Sequence, residues 1–180
     1  MITAQELANY RLRAKNYLDA AGIALTAKEA ANIEVADFGL GRTEEIGLEL
    51  VVYVNTERCC AKELILFPWQ ICPEHRHPTV EGKPGKEETF RCRKGQVFLY
   101  VAGASTSHPQ ARIPQDKKST FTVWHEIVLQ PGEQYTLSPN TLHWFQGGPE
   151  GAIVSEFSTQ SRDEADLFTD PEINRLTQVN

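Results

Sequence analysis

The chain has 180 residues, 41% hydrophobic and 23% charged, with a formal charge of −6, which suits one domain able to bury a core without staples. It shows neither a basic footprint for nucleic acid nor a run of about eighteen apolar residues, so no nucleic-acid partner and no membrane span are expected. Cys59, Cys60, Cys72 and Cys92 lack CxxC spacing, and the N-terminal stretch carries charges in place of an apolar signal core; reduced thiols in a cytoplasmic protein are the expectation.

In chain order, the first predicted element is a helix. Thr3 with Glu6 forms a capping-box signature, Leu7, Tyr10, Ala14, Tyr17 and Leu18 follow at helical spacing, and Gly22 stops the run. A shorter helix opens at Thr26, with Glu29 three residues on, and Gly39 and Gly41 then mark a turn. Residues 1–46 thus read as a helical segment packed on a barrel built by the residues after it. From Gly47 the period changes to two, with Leu48, Leu50, Val52 and Val54 alternating. Leu64–Phe67, Gln96–Val101, Thr120–Trp124, Glu126–Leu129, Tyr135–Leu137, Trp144-Phe145 and Ala152–Phe157 are further short strands, separated by glycine and proline turns. Ser105–Ser119 is polar and reads as a long loop. Such a pattern over residues 47–160 predicts an all-β sandwich or barrel. In the tail, residues 161–180, Ser161 with Glu164 predicts a short capped helix, and Pro171 begins another.

The chemistry lies in Pro73-Glu74-His75-Arg76-His77-Pro78, followed by Glu87-Glu88 and Gly95. Residues two apart on a strand point the same way, so His75 and His77 present two imidazoles side by side. Glu88 is at hairpin distance, and His143 comes far along the chain in Leu142-His143-Trp144. An HxH pair alone equally describes surface histidines or hydrogen-bonded core ones; the added glutamate, glycine, Pro131-Gly132 turn and Pro139 favour ligation. Three imidazoles and a carboxylate suit Mn²⁺, Fe²⁺, Co²⁺, Ni²⁺ or Zn²⁺. Binding needs neutral imidazoles, so affinity should fall below a pH of about 6.5.

This combination resembles the cupin superfamily. His75-x-His77 and Glu88-x6-Gly95 match its first motif, and Gly132, Pro139 and His143 stand in for its second. Three departures stand out. Trp69 occupies the place of the first motif's glycine, ten residues separate His77 from Glu88, and Pro139 lies one residue too close to His143. Among nearby acids, Glu88 fits the glycine spacing, Glu87 would face the opposite way, and Glu81 sits in the loop.

A closer resemblance covers most of the chain. Lys62-Glu63-Leu64-Ile65-Leu66-Phe67-Pro68, Cys72-Pro73-Glu74-His75-Arg76-His77-Pro78 and Gly85-Lys86-Glu87-Glu88-Thr89-Phe90-Arg91-Cys92 are similar to the cupin-type D-lyxose isomerases, as are Ser155-Glu156-Phe157-Ser158 and Asp170-Pro171-Glu172-Ile173. The long insertion before the glutamate is normal for that group. The resemblance implies a cupin double-stranded β-helix, or jelly-roll barrel. It also implies a Mn²⁺-dependent, usually homodimeric aldose–ketose isomerase acting on D-lyxose and D-mannose.

Isomerisation needs a base, an electrophile for the enediolate, and a group that returns the proton; a buried carboxylate can serve as base and donor. Glu156, in the apolar run Ala152–Phe157, is either the base or the partner of an arginine at the barrel rim, and the resemblance implies the base. Lys62 shares strand parity with Leu64 and Leu66, so it either meets a sugar oxygen or snorkels to water. Lys86 and Asp166 are candidates for binding substrate hydroxyls. Trp69, Trp124 and Trp144 either wall a sugar pocket or pack the barrel. Competing readings are a cupin dioxygenase with the same ligand set, a phosphosugar isomerase using Arg91, Arg93 and Lys94, and a non-catalytic sugar-binding cupin.

Overall fold

A computed structural model describes residues 1–180. Helix α1 (Ala4–Ala20) starts at Thr3, whose hydroxyl accepts from the Glu6 amide while Glu6 accepts from the Thr3 amide. Thr26 and Glu29 repeat this box at α2 (Ala27–Ala31). Each box meets amides that the first helical turn leaves without partners. The buried face of α1, Ala14 and Leu18, covers Val51, Ile65, Phe67 and Ile153 on the outside of the sheet.

The strands are β1 (Glu34–Ala36), β2 (Leu48–Asn55), β3 (Cys60–Leu66), β4 (Ile71–Arg76), β5 (Glu88–Val101), β6 (His125–Leu129), β7 (Gln134–Leu137), β8 (His143–Ser158) and β9 (Leu167–Phe168). All their pairings are antiparallel. The long strands β5 and β8 pair from Glu88↔Ser158 to Val101↔His143. The far end of β8 continues onto β3, and its start continues onto β4. The other flank of β5 takes β6 and β7. Bulges at Cys92/Lys94 and Gly95/Val97 bend the pair and curl the sheet into a barrel. Gly95 is required there: its φ is +72°, and a Cβ would lie 2.0 Å from the Gly151 carbonyl oxygen. Leu48, Leu50, Leu64, Leu66, Phe90, Leu99, Phe145 and Val154 fill the interior. Each such side chain stabilises the fold by about 1.5–3 kcal/mol as an upper estimate.

The cupin jelly roll expected from the sequence is the observed fold, with differences of detail. Residues 34–36 belong to the sheet, so the N-terminal segment is not wholly helical. Trp144-Phe145 and Ala152–Phe157 are parts of one strand. Thr120–Trp124 is not a strand, because Glu74 takes its donors: the carboxylate accepts from Thr122 N (2.6 Å), Thr122 Oγ1 (2.7 Å) and Val123 N (3.0 Å). The helical tail needs correction. It holds one 3-10 turn, Asp163–Ala165, and turns follow Pro171. Ser161 caps nothing because its hydroxyl donates to Asp163 and accepts from Lys62 Nζ at 2.8 Å. Trp69, in the motif glycine's place, keeps a glycine-like φ of +64°, and the Arg112 guanidinium lies 3.5 Å from its ring centroid. No helix is long and apolar enough to cross a membrane.

Candidate metal centre and active site

Three strands bring the four predicted ligands together inside the barrel, the histidines as one cluster and Glu88 against two of them. His75 on β4 is the register partner of His143, the first residue of β8. His77 follows one residue beyond the end of β4, and Glu88 opens β5. All four are buried. One ring nitrogen from each histidine lies within 4.8 Å of the others. Glu88 Oε1 is 3.0 Å from His77 Nε2 and 3.1 Å from His143 Nε2. Glu87 is exposed and Glu81 lies outside the cluster, so Glu88 is the carboxylate that the fold brings in.

The outward ring nitrogens explain the inward ones. Nδ1 of His75 donates to the Pro73 carbonyl (2.8 Å), Nδ1 of His143 to the Thr141 carbonyl (2.9 Å), and Nδ1 of His77 meets Asp166 Oδ1 (2.5 Å). An imidazole anchored through Nδ1–H presents the Nε2 lone pair, the arrangement that metal-binding histidines use. His143 Nε2 is buried without a hydrogen bond; its 3.1 Å approach to Glu88 lacks the angle for one. Such an orphaned acceptor calls for a cation. Burial opposes charge on His77, but Glu88 and Asp166 outweigh it and push its pKa up to about 9. Burial, together with His143 and His77, holds His75 well below the usual imidazole range. The two carboxylates thus demand positive charge at this point, and the residues fit a divalent ion.

Beside the cluster lies a chain of buried charges. Lys86 Nζ reaches Glu88 Oε2 at 2.8 Å and Glu156 Oε1 at 3.0 Å. Burial would depress this ammonium, but Glu156, Glu88 and Asp163 outweigh it and raise its pKa. Glu156, opposite Lys62 in the β3–β8 ladder, also accepts from Ser158 Oγ at 3.1 Å. Lys62 is buried and does not snorkel. Its Nζ contacts Asp163 Oδ2 (2.7 Å) and Ser161 Oγ (2.8 Å), with Glu156 at 3.8 Å. Gly85 lets the Lys86 loop sit against the backbone of His77, since a Cβ would lie 1.8 Å from the His77 carbonyl oxygen.

Lys62, Lys86, Glu88, Glu156 and Asp163 line one cavity of about 30 Å³ together with His75 and His77, and Phe38, Phe168 and Arg175 complete its wall. Asp166 lines it too, with Oδ1 engaged by His77. Sequence reasoning missed Asp163 and Arg175, which pair at 3.4 Å, and Glu34, which holds Arg175 at 2.5 Å. They lie at a strand edge and in an irregular tail, and no pattern signals their contacts. The tryptophans stay out of the cavity: Trp144 stacks on Tyr100 at 3.9 Å. Arg91 pairs with Gln134, and Lys94 with the Ala20 carbonyl, so neither serves a phosphate in the cavity. Cys72 lines the wall as a neutral thiol, its pKa pushed well up by burial.

A curled antiparallel barrel with this inner cluster is a cupin whose interior suits a metal ion. The D-lyxose isomerase family model matches residues 19–180. The chain is 65% identical over 162 residues to the D-lyxose/D-mannose isomerase of Thermosediminibacter oceani, covering 90% of each. It is 60% identical over 179 residues to the D-lyxose ketol-isomerase of Thermofilum sp., covering 99% of each. The chain therefore belongs to the D-lyxose isomerase family. It also shares its fold with the L-ribose isomerase of Cellulomonas parahominis, at a TM-score of 0.83 and 16% identity over 99% of this chain and 98% of that one.

Proposed function

We propose that the chain is an aldose–ketose isomerase interconverting D-lyxose and D-xylulose, and D-mannose and D-fructose, with Mn²⁺ held by His75, His77, Glu88 and His143. Family membership supports the reaction class. The mixed imidazole and carboxylate set suits Mn²⁺, with Co²⁺, Fe²⁺, Ni²⁺ and Zn²⁺ as other occupants. A divalent ion held by these residues would supply positive charge to stabilise the enediolate. Glu156 takes the proton from C2 of the aldose and returns it to C1. The proton on O2 must also pass to O1: Lys62, the buried ammonium beside Glu156, gives one to O1 and takes back the one O2 loses, so it ends as it began. The observation that carries the reading is Lys86, whose one ammonium fixes both Glu88 and Glu156. It ties the carboxylate that moves the proton to the one that binds the cation. A dioxygenase or a binding protein has no use for that second carboxylate.

Val52, Tyr53, Val54 and Phe157, exposed on neighbouring strands, support a homodimer, which analytical ultracentrifugation tests. To test the reaction, chelated protein is given Mn²⁺ and D-lyxose in D₂O. Ketose deuterated at C1 is expected, and Glu156→Gln should abolish it. Failure to convert any free aldose with metal restored contradicts the assignment.

A further inference from the structure

Phe38 is buried in the cavity wall with a φ of +52°. A bulky aromatic in the left-handed region is strained and persists only where its surroundings impose it. Here they do. The Phe38 carbonyl accepts from Asn174 N (2.9 Å), Gly39 N donates to Asp37 Oδ1 (3.1 Å), and Asp37 N donates to Thr177 Oγ1 (3.1 Å). The N-terminal ammonium adds a fourth tie, 3.2 Å from Asp37 Oδ2. Gly39, next in the chain, is left-handed too, with a φ of +72°, and pays no steric cost for it. The consequence of placing the phenylalanine here is that its ring enters the cavity. It meets Phe168 edge-on at 5.7 Å, and Phe168 lies 5.4 Å from the His75 ring.

Away from the histidines the cavity has two kinds of wall. Lys62, Asp163 and Arg175 offer hydroxyl partners, whereas Phe38, Leu48, Leu50 and Leu64 offer none. D-mannose has the C2–C4 configuration of D-lyxose plus one hydroxymethyl group on C5. With C1 and C2 at the metal centre, that added group lies at the far end of the sugar. Against hydrocarbon its hydroxyl loses water without gaining a partner. Phe38 is the aromatic of this wall whose strained backbone holds its ring in place.

We propose that Phe38 sets the sugar length the pocket accepts, favouring a five-carbon aldose over its six-carbon homologue. The inference rests on the isomerase reading, so its test has a readout beyond turnover. kcat/KM for D-lyxose and D-mannose is measured in the Mn²⁺-loaded wild type, Phe38→Leu and Phe38→Trp. Calorimetry of the same proteins gives Kd for D-arabinitol and D-mannitol. Phe38→Leu should raise the six-carbon to five-carbon ratio about tenfold, and Phe38→Trp should lower it. The alditol ratios should follow the same order. Equal losses for both sugar lengths, or unchanged alditol ratios, overturn the proposal. If the wild type converts neither aldose, the isomerase reading falls, and the alditol ratios still decide the role of Phe38.

Discussion

The barrel buries acids in two regions and neutralises them in two ways. On the outer face of β2, beside Arg13 and Tyr10 of α1, Glu49 is fully buried with Gln70 Nε2 3.3 Å away and its Oε2 without a partner. Burial pushes its pKa up to about 8, so it holds a proton at neutral pH. Inside the barrel, burial also opposes ionisation of Glu88 and Asp163. Lys86 and His77 outweigh it at Glu88, and Lys62, Lys86 and Arg175 at Asp163, so both stay ionised. One solution stores a neutral acid where only packing matters. The other keeps full charges in a dry cavity, where they act strongly on a cation or a sugar.

The sharpest way to break this contrast is Glu156→Gln, which keeps shape and removes the base. An activity loss of about 10²–10⁴-fold is expected, with metal content unchanged by elemental analysis. Next is Lys86→Met, which strands Glu88 and Glu156 without their shared cation. Stability should fall by about 3–5 kcal/mol, read by urea unfolding.

Glu49→Gln tests the outer solution. The folded chain keeps the Glu49 proton up to about pH 8, while the unfolded chain releases it near 4.5. The contribution to stability is therefore complete below pH 4.5 and is lost as pH rises toward 8, with a slope of at most about 1.4 kcal/mol per unit. The glutamine variant should flatten that slope between pH 5 and 8 and leave turnover intact. The smallest effect belongs to Thr3→Ala, which removes the α1 cap at a cost of about 1 kcal/mol. Unchanged kinetics there would show that the helical cover only supports the barrel.

Legibility in the sequence divides along the same line. Period-two patterning and glycine turns mark most of the strands, though not β1 or β9 and wrongly Thr120–Trp124, and the capping boxes mark both N-terminal helices. His75, His77, Glu88 and His143 were readable because ladder pairing converts fixed spacings into shared positions. The contact between Lys62 and Asp163 spans 101 residues and joins a strand to an irregular turn. No local period encodes such a contact, so the tail read as helix while its acids were already committed to the cavity. Phe38 was invisible for a related reason: its place depends on hydrogen bonds from residues 174 and 177.

The most direct test of the metal-dependent isomerase is metal stoichiometry alongside turnover. Wild type and His143→Ala are stripped with chelator, titrated with Mn²⁺, and followed by elemental analysis and ketose formation. One tightly held ion per chain, activity rising in step with it, and loss of both in His143→Ala are expected. Full turnover by the stripped wild type, or undiminished metal in the variant, would contradict it.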